Sequence, residues 1–116
     1  MKCYLNILEM SSFIYVISNG EAFKVGLSKD PKRRVRQLQT GNPKKLSLEY
    51  CVEIEEAPAK ILESIMHRYL KFNHLSGEWF SADFIVIKNL LDFVKIRYDN
   101  EDTEREFKLG ILDYEV

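Results

Sequence analysis

Three features of the sequence predict an α+β fold. An Asn19-Gly20 pair divides two β-rich runs, a third β-rich run follows at 46–54, and three other segments carry helix caps or apolar residues at helical spacing. Asn-Gly between two such runs is the strongest short-range hairpin signal a sequence can offer. The 116 residues make one domain, 46% hydrophobic and 30% charged, which excludes disorder over the whole chain. A chain of this length buries about two-thirds of its unfolded surface and needs no metal or disulfide in order to fold.

The elements follow in order. Residues 13–18 (FIYVIS) and 22–28 (AFKVGLS) read as the two strands of the hairpin. Asp30 before Pro31 supplies an N-cap and a proline at the first helical position, so a helix is expected from 31 to about 39. Thr40-Gly41-Asn42-Pro43 stops it, with Gly41 in the position that favours a left-handed backbone. LSLEYCVEI (46–54) is the third strand. Ala57-Pro58 opens a helix to about Asn73, with Leu62, Ile65, Met66, Tyr69 and Leu70 as its core-facing stripe. Ser76-Gly77 is a turn and Glu78-Trp79-Phe80 a short strand or strap. Asp83 caps a last helix from 84 to about 98, with Ile87, Leu90, Leu91 and Val94 at helical spacing. Residues 99–106 form an acidic connector, and FKLGILDY and CYLNIL are candidate terminal strands.

Charge and cysteine content narrow the function classes. The net charge of −1 hides a division: residues 1–91 carry 13 basic and 10 acidic side chains, residues 92–116 carry 4 and 8. Lys29, Lys32, Arg33, Arg34, Arg36, Lys44 and Lys45 stand together with only Asp30 against them. Such a block can attract phosphates even on a neutral molecule, although from charge alone a solvated helix face is the favoured reading. Cys3 and Cys51 form no CxxC pair, which excludes a disulfide scaffold or a cysteine zinc finger and suits a reducing compartment. No apolar run approaches the roughly 18 residues of a membrane span. MKCYLNILEMSS, interrupted by Asn6 and Glu9, is a poor secretion signal. A soluble intracellular protein without membrane contact is expected.

A turn centred on Asn19-Gly20 pairs residues whose numbers sum to 39, which sets Tyr15 opposite Lys24 with Cβ atoms roughly 5 Å apart. Alternation puts Ile14, Val16, Phe23 and Val25 on a core face, with Tyr15, Lys24 and Gly26 on the other. An ammonium beside a phenol favours phenolate and suits a tyrosine that takes a proton. A cross-strand pair on a solvated face is the plain alternative.

IYV on the first strand, KVG on the second, SKDPKRRVRQLQTGNP after it, ILESIMHRYL on the next long helix and then GEWF resemble the GIY-YIG endonuclease superfamily. The resemblance is to the branch common in phages and large DNA viruses, the meiotically up-regulated gene 113 type, and spans about residues 13–85. It implies a small three-stranded antiparallel sheet flanked by helices, with residues 1–98 as the nuclease domain and 99–116 as an acidic tail. It also implies a metal-dependent phosphodiester hydrolase acting on nucleic acid, DNA foremost, with one Mg²⁺ or Mn²⁺ ion. Tyr15 maps to the general base, Lys24 to the second motif's tyrosine position, Gly26 to its glycine, Arg34 to the phosphate-contacting arginine and Glu63 to the metal-binding glutamate. Phe13 replaces the first motif's glycine. The family asparagine has no secure counterpart, Asn73 being off in spacing.

The chemistry is consistent with these roles. Hydrolysis needs a base, a planar clamp that Arg34 provides and a lysine would not, and metal support, for which one carboxylate suffices with Mg²⁺. His67, four residues after Glu63 on one helix face, could hold water, phosphate or the metal, or simply bond Glu63. His74 shows no partner and reads as a loop residue, and Trp79 as a core anchor. Lys29, Lys32, Arg33, Arg36, Asn42, Lys44 and Lys45 are the candidate nucleic-acid contacts. Two other readings stay open: a catalytically weak nucleic-acid-binding module on the same fold, and a protein-interaction domain whose acidic tail contacts a partner.

Overall fold

The structure, a computed structural model, describes residues 11–100. Strands β1 (Ser11–Ser18) and β2 (Phe23–Ser28) form the hairpin, and helix α1 (Pro31–Gln39) leads to β3 (Ser47–Glu55). Helix α2 (Glu56–Tyr69) ends in a 3-10 turn (Lys71–Asn73), followed by the short strands β4 (His74–Ser76) and β5 (Trp79–Phe80) and by α3 (Phe84–Asn100). The candidate strands CYLNIL and FKLGILDY lie outside the described residues.

The sheet is antiparallel and has five strands in the order β3-β1-β2-β5-β4, not the three expected. The three predicted strands are its centre and one edge. Residues 74–80 turn back at Gly77, whose φ of +54 favours glycine, and pair Phe80 with Phe23 and Trp79 with Lys24. An extended strap has main-chain groups to satisfy, and the outer edge of β2 offers them partners.

The hairpin register also departs from expectation. Tyr15 stands opposite Gly26, and Lys24 opposite Ile17. The cause is a four-residue loop centred on Gly20-Glu21 rather than a two-residue turn. The Asn19 side-chain oxygen accepts from the main-chain N–H of Glu21 (2.9 Å) and of Ala22 (2.7 Å), and Gly20 adopts φ +94. Asn19 caps this loop instead of sitting at its middle. The slip is of two residues, so each side chain keeps its predicted face.

Both faces are covered. Ile14, Val16 and Val25 pack against Leu62, Ile65 and Met66 of α2 and Ile87, Leu91 and Val94 of α3. On the opposite face Phe13, Tyr15, Ile17, Leu46 and Cys51 pack against Val35 and Leu38 of α1, with Trp79 at the margin as an anchor. The solvated face that was the alternative for Tyr15 is therefore absent: Tyr15 is 1% exposed. Helix α1 has the predicted bounds, with Asp30 Oδ1 accepting from the Arg33 N–H (3.1 Å), Pro31 in its first turn, and Gly41 at φ +78 beyond its end. No helix of the described residues is long and apolar enough to cross a membrane.

Candidate active site

Gly26 is the keystone of the site because it has no side chain. The ring of Tyr15, directly across the ladder, lies over it. A Cβ built on Gly26 would stand 2.5 Å from the Tyr15 hydroxyl oxygen, 2.7 Å from Cζ and 2.9 Å from Oε1 of Glu78. Atoms from both neighbours thus fill the space any other residue would occupy. Strand β5 ends with its pairing to Phe23 and Lys24, and the Val25 N–H turns to the carbonyl of Glu78 (3.1 Å). At this point the sheet edge opens, and side chains from both faces meet.

From the α1 face, the Arg34 guanidinium donates a hydrogen bond to the Tyr15 hydroxyl. Burial raises the phenol above its ordinary pKa of 10.0; the Arg34 bond and charge pull it down, while the charges of Glu78 and Glu63 push it up. The cation acting on the phenol is therefore Arg34 and not Lys24. Lys24, 9% exposed, instead forms an ion pair with Glu78 Oε1 (3.0 Å), with its ammonium 5.9 Å from the Trp79 ring centre. This corrects the expectation that Lys24 lies directly opposite Tyr15 and ionises it. The register places the two residues diagonally, and Glu78 intercepts the ammonium.

From the other face, α2 brings Glu63 and His67 to the same edge. Burial, then the charge of Glu78, raises the Glu63 carboxyl, with His67 and Lys24 acting in the opposite sense. His67 Nε2 lies 2.8 Å from the Val25 carbonyl, and its ring packs on Phe80. A carbonyl only accepts, so Nε2 carries the hydrogen and Nδ1 keeps its lone pair. Glu63, His67 and Glu78 each present a donor atom within 4.8 Å of the others. Donors about 2.1 Å from one ion stand no more than about 4.2 Å apart, so a few tenths of an ångström of movement closes the set around a cation. Two carboxylates and an imidazole anchored by its second nitrogen are a fitting donor set for a divalent metal.

The structure thus brings Tyr15, Arg34, Lys24, Glu63 and His67 together and adds Glu78. Glu78 belongs to the GEWF motif, but nothing in its spacing ties it to Glu63; the β5 pairing does. The basic block divides. Lys29, Lys32, Arg33, Arg36 and Lys45 are exposed around α1, while Arg34 is partly buried. Lys44 pairs with Glu21 (2.8 Å). Asn42 Oδ1 accepts from the Lys44 N–H (3.0 Å), so its side chain shapes the loop. Gln39, unnoticed in the sequence, braces that loop: its amide donates to the carbonyl of Lys44 (2.9 Å) and its oxygen accepts from the Leu46 N–H (2.8 Å). His74 is not a partnerless loop residue; it begins β4, with Nε2 2.8 Å from the Gly77 carbonyl and its ring on Phe80. Asn73 is exposed, and its carbonyl accepts from Ser81.

Comparison with curated proteins and with solved structures returns no match. Comparison with protein families matches residues 12–95, most of the chain, to the T5orf172 domain. The span opens one residue into β1, takes in every residue of the site just described and closes within α3: the chain belongs to the T5orf172 domain family, a domain associated with phage nuclease-like proteins.

Proposed function

We propose that this protein is an endonuclease of the GIY-YIG type that hydrolyses phosphodiester bonds of nucleic acid, DNA foremost, with one bound divalent ion. The observation that carries this reading is the meeting over Gly26 of the Tyr15 hydroxyl and the Glu78 carboxylate, with Arg34 bonded to the phenol and Glu63 beside Glu78. A packed core gains nothing from gathering at one spot a buried phenol and a partly buried guanidinium and carboxylate, each of which costs desolvation, with a second carboxylate beside them.

Tyr15 is the general base that takes a proton from the attacking water. In the resting protein burial, together with the charges of Glu78 and Glu63, keeps the proton on the phenol; a cation held by the two carboxylates would remove their contribution and leave the Arg34 bond and charge working against burial alone. The planar fork of Arg34 spans Tyr15 and a phosphoryl oxygen. Glu63, Glu78 and His67 are the residues that would hold the ion, which when bound supplies positive charge to the phosphate and the leaving oxygen. The imidazole favours Mn²⁺ or a similar transition ion over Mg²⁺, a hard cation that prefers oxygen. Lys29, Lys32, Arg33, Arg36 and Lys45 face the approaching strand and supply attraction without sequence information.

Incubation of the full chain with plasmid and oligonucleotides tests the reading. Cleavage is expected with Mn²⁺ or Mg²⁺ and none in excess chelator, and Glu63→Ala should remove both cleavage and a calorimetric Mn²⁺ site. Cleavage that persists in chelator overturns the metal assignment. Binding without cleavage under every metal condition makes the protein a nucleic-acid-binding module instead.

A further inference from the structure

A cleft of about 270 Å³ opens beside the metal-binding trio, lined by His67, Lys71, His74, Gly77 and Phe80. Three of its five residues are rings, and they are arranged around one hollow. His67 and His74 pack on Phe80 with centroids 5.1 and 5.6 Å away, both tilted to it by more than 50°. Each imidazole is fixed by a main-chain carbonyl 2.8 Å from its Nε2, Val25 for His67 and Gly77 for His74. Both rings are therefore held in place, with Nδ1 left as an acceptor. The lining has a lysine and no carboxylate, whereas Glu63 and Glu78 stand with His67 on the metal side. Next to the cleft, Phe72 is 89% exposed, with the Lys71 ammonium 5.0 Å from its ring centre. An exposed phenyl ring beside a cation that itself lines a ring-walled cleft has the composition of a base-stacking platform.

We infer that this cleft holds one unpaired nucleobase next to the scissile phosphate, so that the protein acts where a strand is single or a base is turned out of the helix. The inference rests on the nuclease reading and names its substrate class. His67 belongs to both the metal trio and the cleft, so a phosphate at Glu63 and Glu78 has a flanking base within reach of the hollow. A base stacked within a duplex has both faces covered by its neighbours, so it must first leave the stack before it can lie among the rings of the cleft. The rings receive the flat face of the base and the His74 Nδ1 an exocyclic amine, the His67 Nδ1 being the metal donor; Lys71 takes the adjacent phosphate, and Phe72 stacks the next base along.

The test measures binding without turnover. The full chain in chelator is titrated against a fluorescent single-stranded oligonucleotide containing 2-aminopurine and against its duplex, at one salt concentration. The single strand is expected to bind more tightly, with quenching of the 2-aminopurine. Phe72→Ser, at a solvent-exposed position, and His74→Gln should each weaken single-strand binding by roughly 5- to 150-fold, the worth of one stacked base. Duplex affinity should stay within about twofold. Equal affinity for both forms, or variants that bind the single strand as wild type does, overturns the inference while cleavage of plasmid keeps the nuclease reading. If neither oligonucleotide binds and plasmid is not cut with Mn²⁺, both fall.

Discussion

The two faces of the central sheet are fed by the same three strands, residue by alternate residue, yet they are built differently. The face under α2 and α3 is apolar throughout its core, with Val16, Val25, Leu62, Met66, Ile87 and Leu91 essentially inaccessible. The face under α1 has a smaller apolar cluster and at its margin buries Lys24 and the Tyr15 hydroxyl. One face stabilises by area, at about 25 cal/mol per Å² of apolar surface. The other gives up part of that gain to hold polar groups in a fixed geometry. Glu63 and His67 reach the shared edge from α2, but the core of each face keeps its own character, and a substitution there should reveal which side it is on.

The largest effect is expected at Gly26, where the two sides meet. Gly26→Ala forces a methyl group against the phenol and the Glu78 carboxylate. It should reduce cleavage to background and lower stability by about 1–3 kcal/mol, read by plasmid nicking and a thermal melt. Tyr15→Phe keeps the ring over Gly26 and deletes the hydroxyl proposed as the base. Turnover should fall about 10²–10⁴-fold, while stability changes by no more than the roughly 1 kcal/mol of one hydrogen bond. Leu91→Ala, on the apolar face, should invert this pattern. A loss of about 2–5 kcal/mol in denaturant unfolding should accompany unchanged turnover per folded molecule. Reduced turnover there would mean the faces are coupled.

A smaller effect concerns pH. Burial, the hydrogen bond to Asp92 and the charge of Asp92 push the Tyr50 phenol up to about 12. A raised folded-state value means stability is fully present below pH 10 and is lost as pH climbs from 10 towards 12. Tyr50→Phe should flatten that window in melts taken between pH 9 and 12. The smallest effect belongs to the exposed Lys44–Glu21 pair: Glu21→Ala should change stability by at most about 1 kcal/mol.

Sequence legibility followed the range of the interaction. Asp30, Pro31 and Gly41 delimit α1 through bonds and backbone angles reaching a few residues, and those limits were readable in full. Alternation on β1 and β2 was readable too, because a two-residue slip preserves it. The slip itself was not, since it depends on whether the Asn19 side chain faces its own loop amides. Glu78 was hidden for a different reason. Its place beside Glu63 and over Gly26 comes from the pairing of a two-residue strand with β2, a tertiary event with no periodic trace. The same cause hid β4 and the addition of β5 to the sheet, although Trp79-Phe80 was itself readable as a short strand or strap.

Helix α1 is a beam clamped at both ends. Nine residues are too few to hold a helix in water by propensity alone. Asp30 fastens the first turn, and Gln39 ties the last to three points of the following loop, the carbonyls of Asn42 and Lys44 and the amide of Leu46. Arg34 lies near mid-span. The aim of its guanidinium is therefore set by two side chains that touch neither the phenol nor a substrate. Tuning such a site does not require altering the groups that meet in it: loosening a fastening at either end lets the beam sag and carries the arginine off its mark.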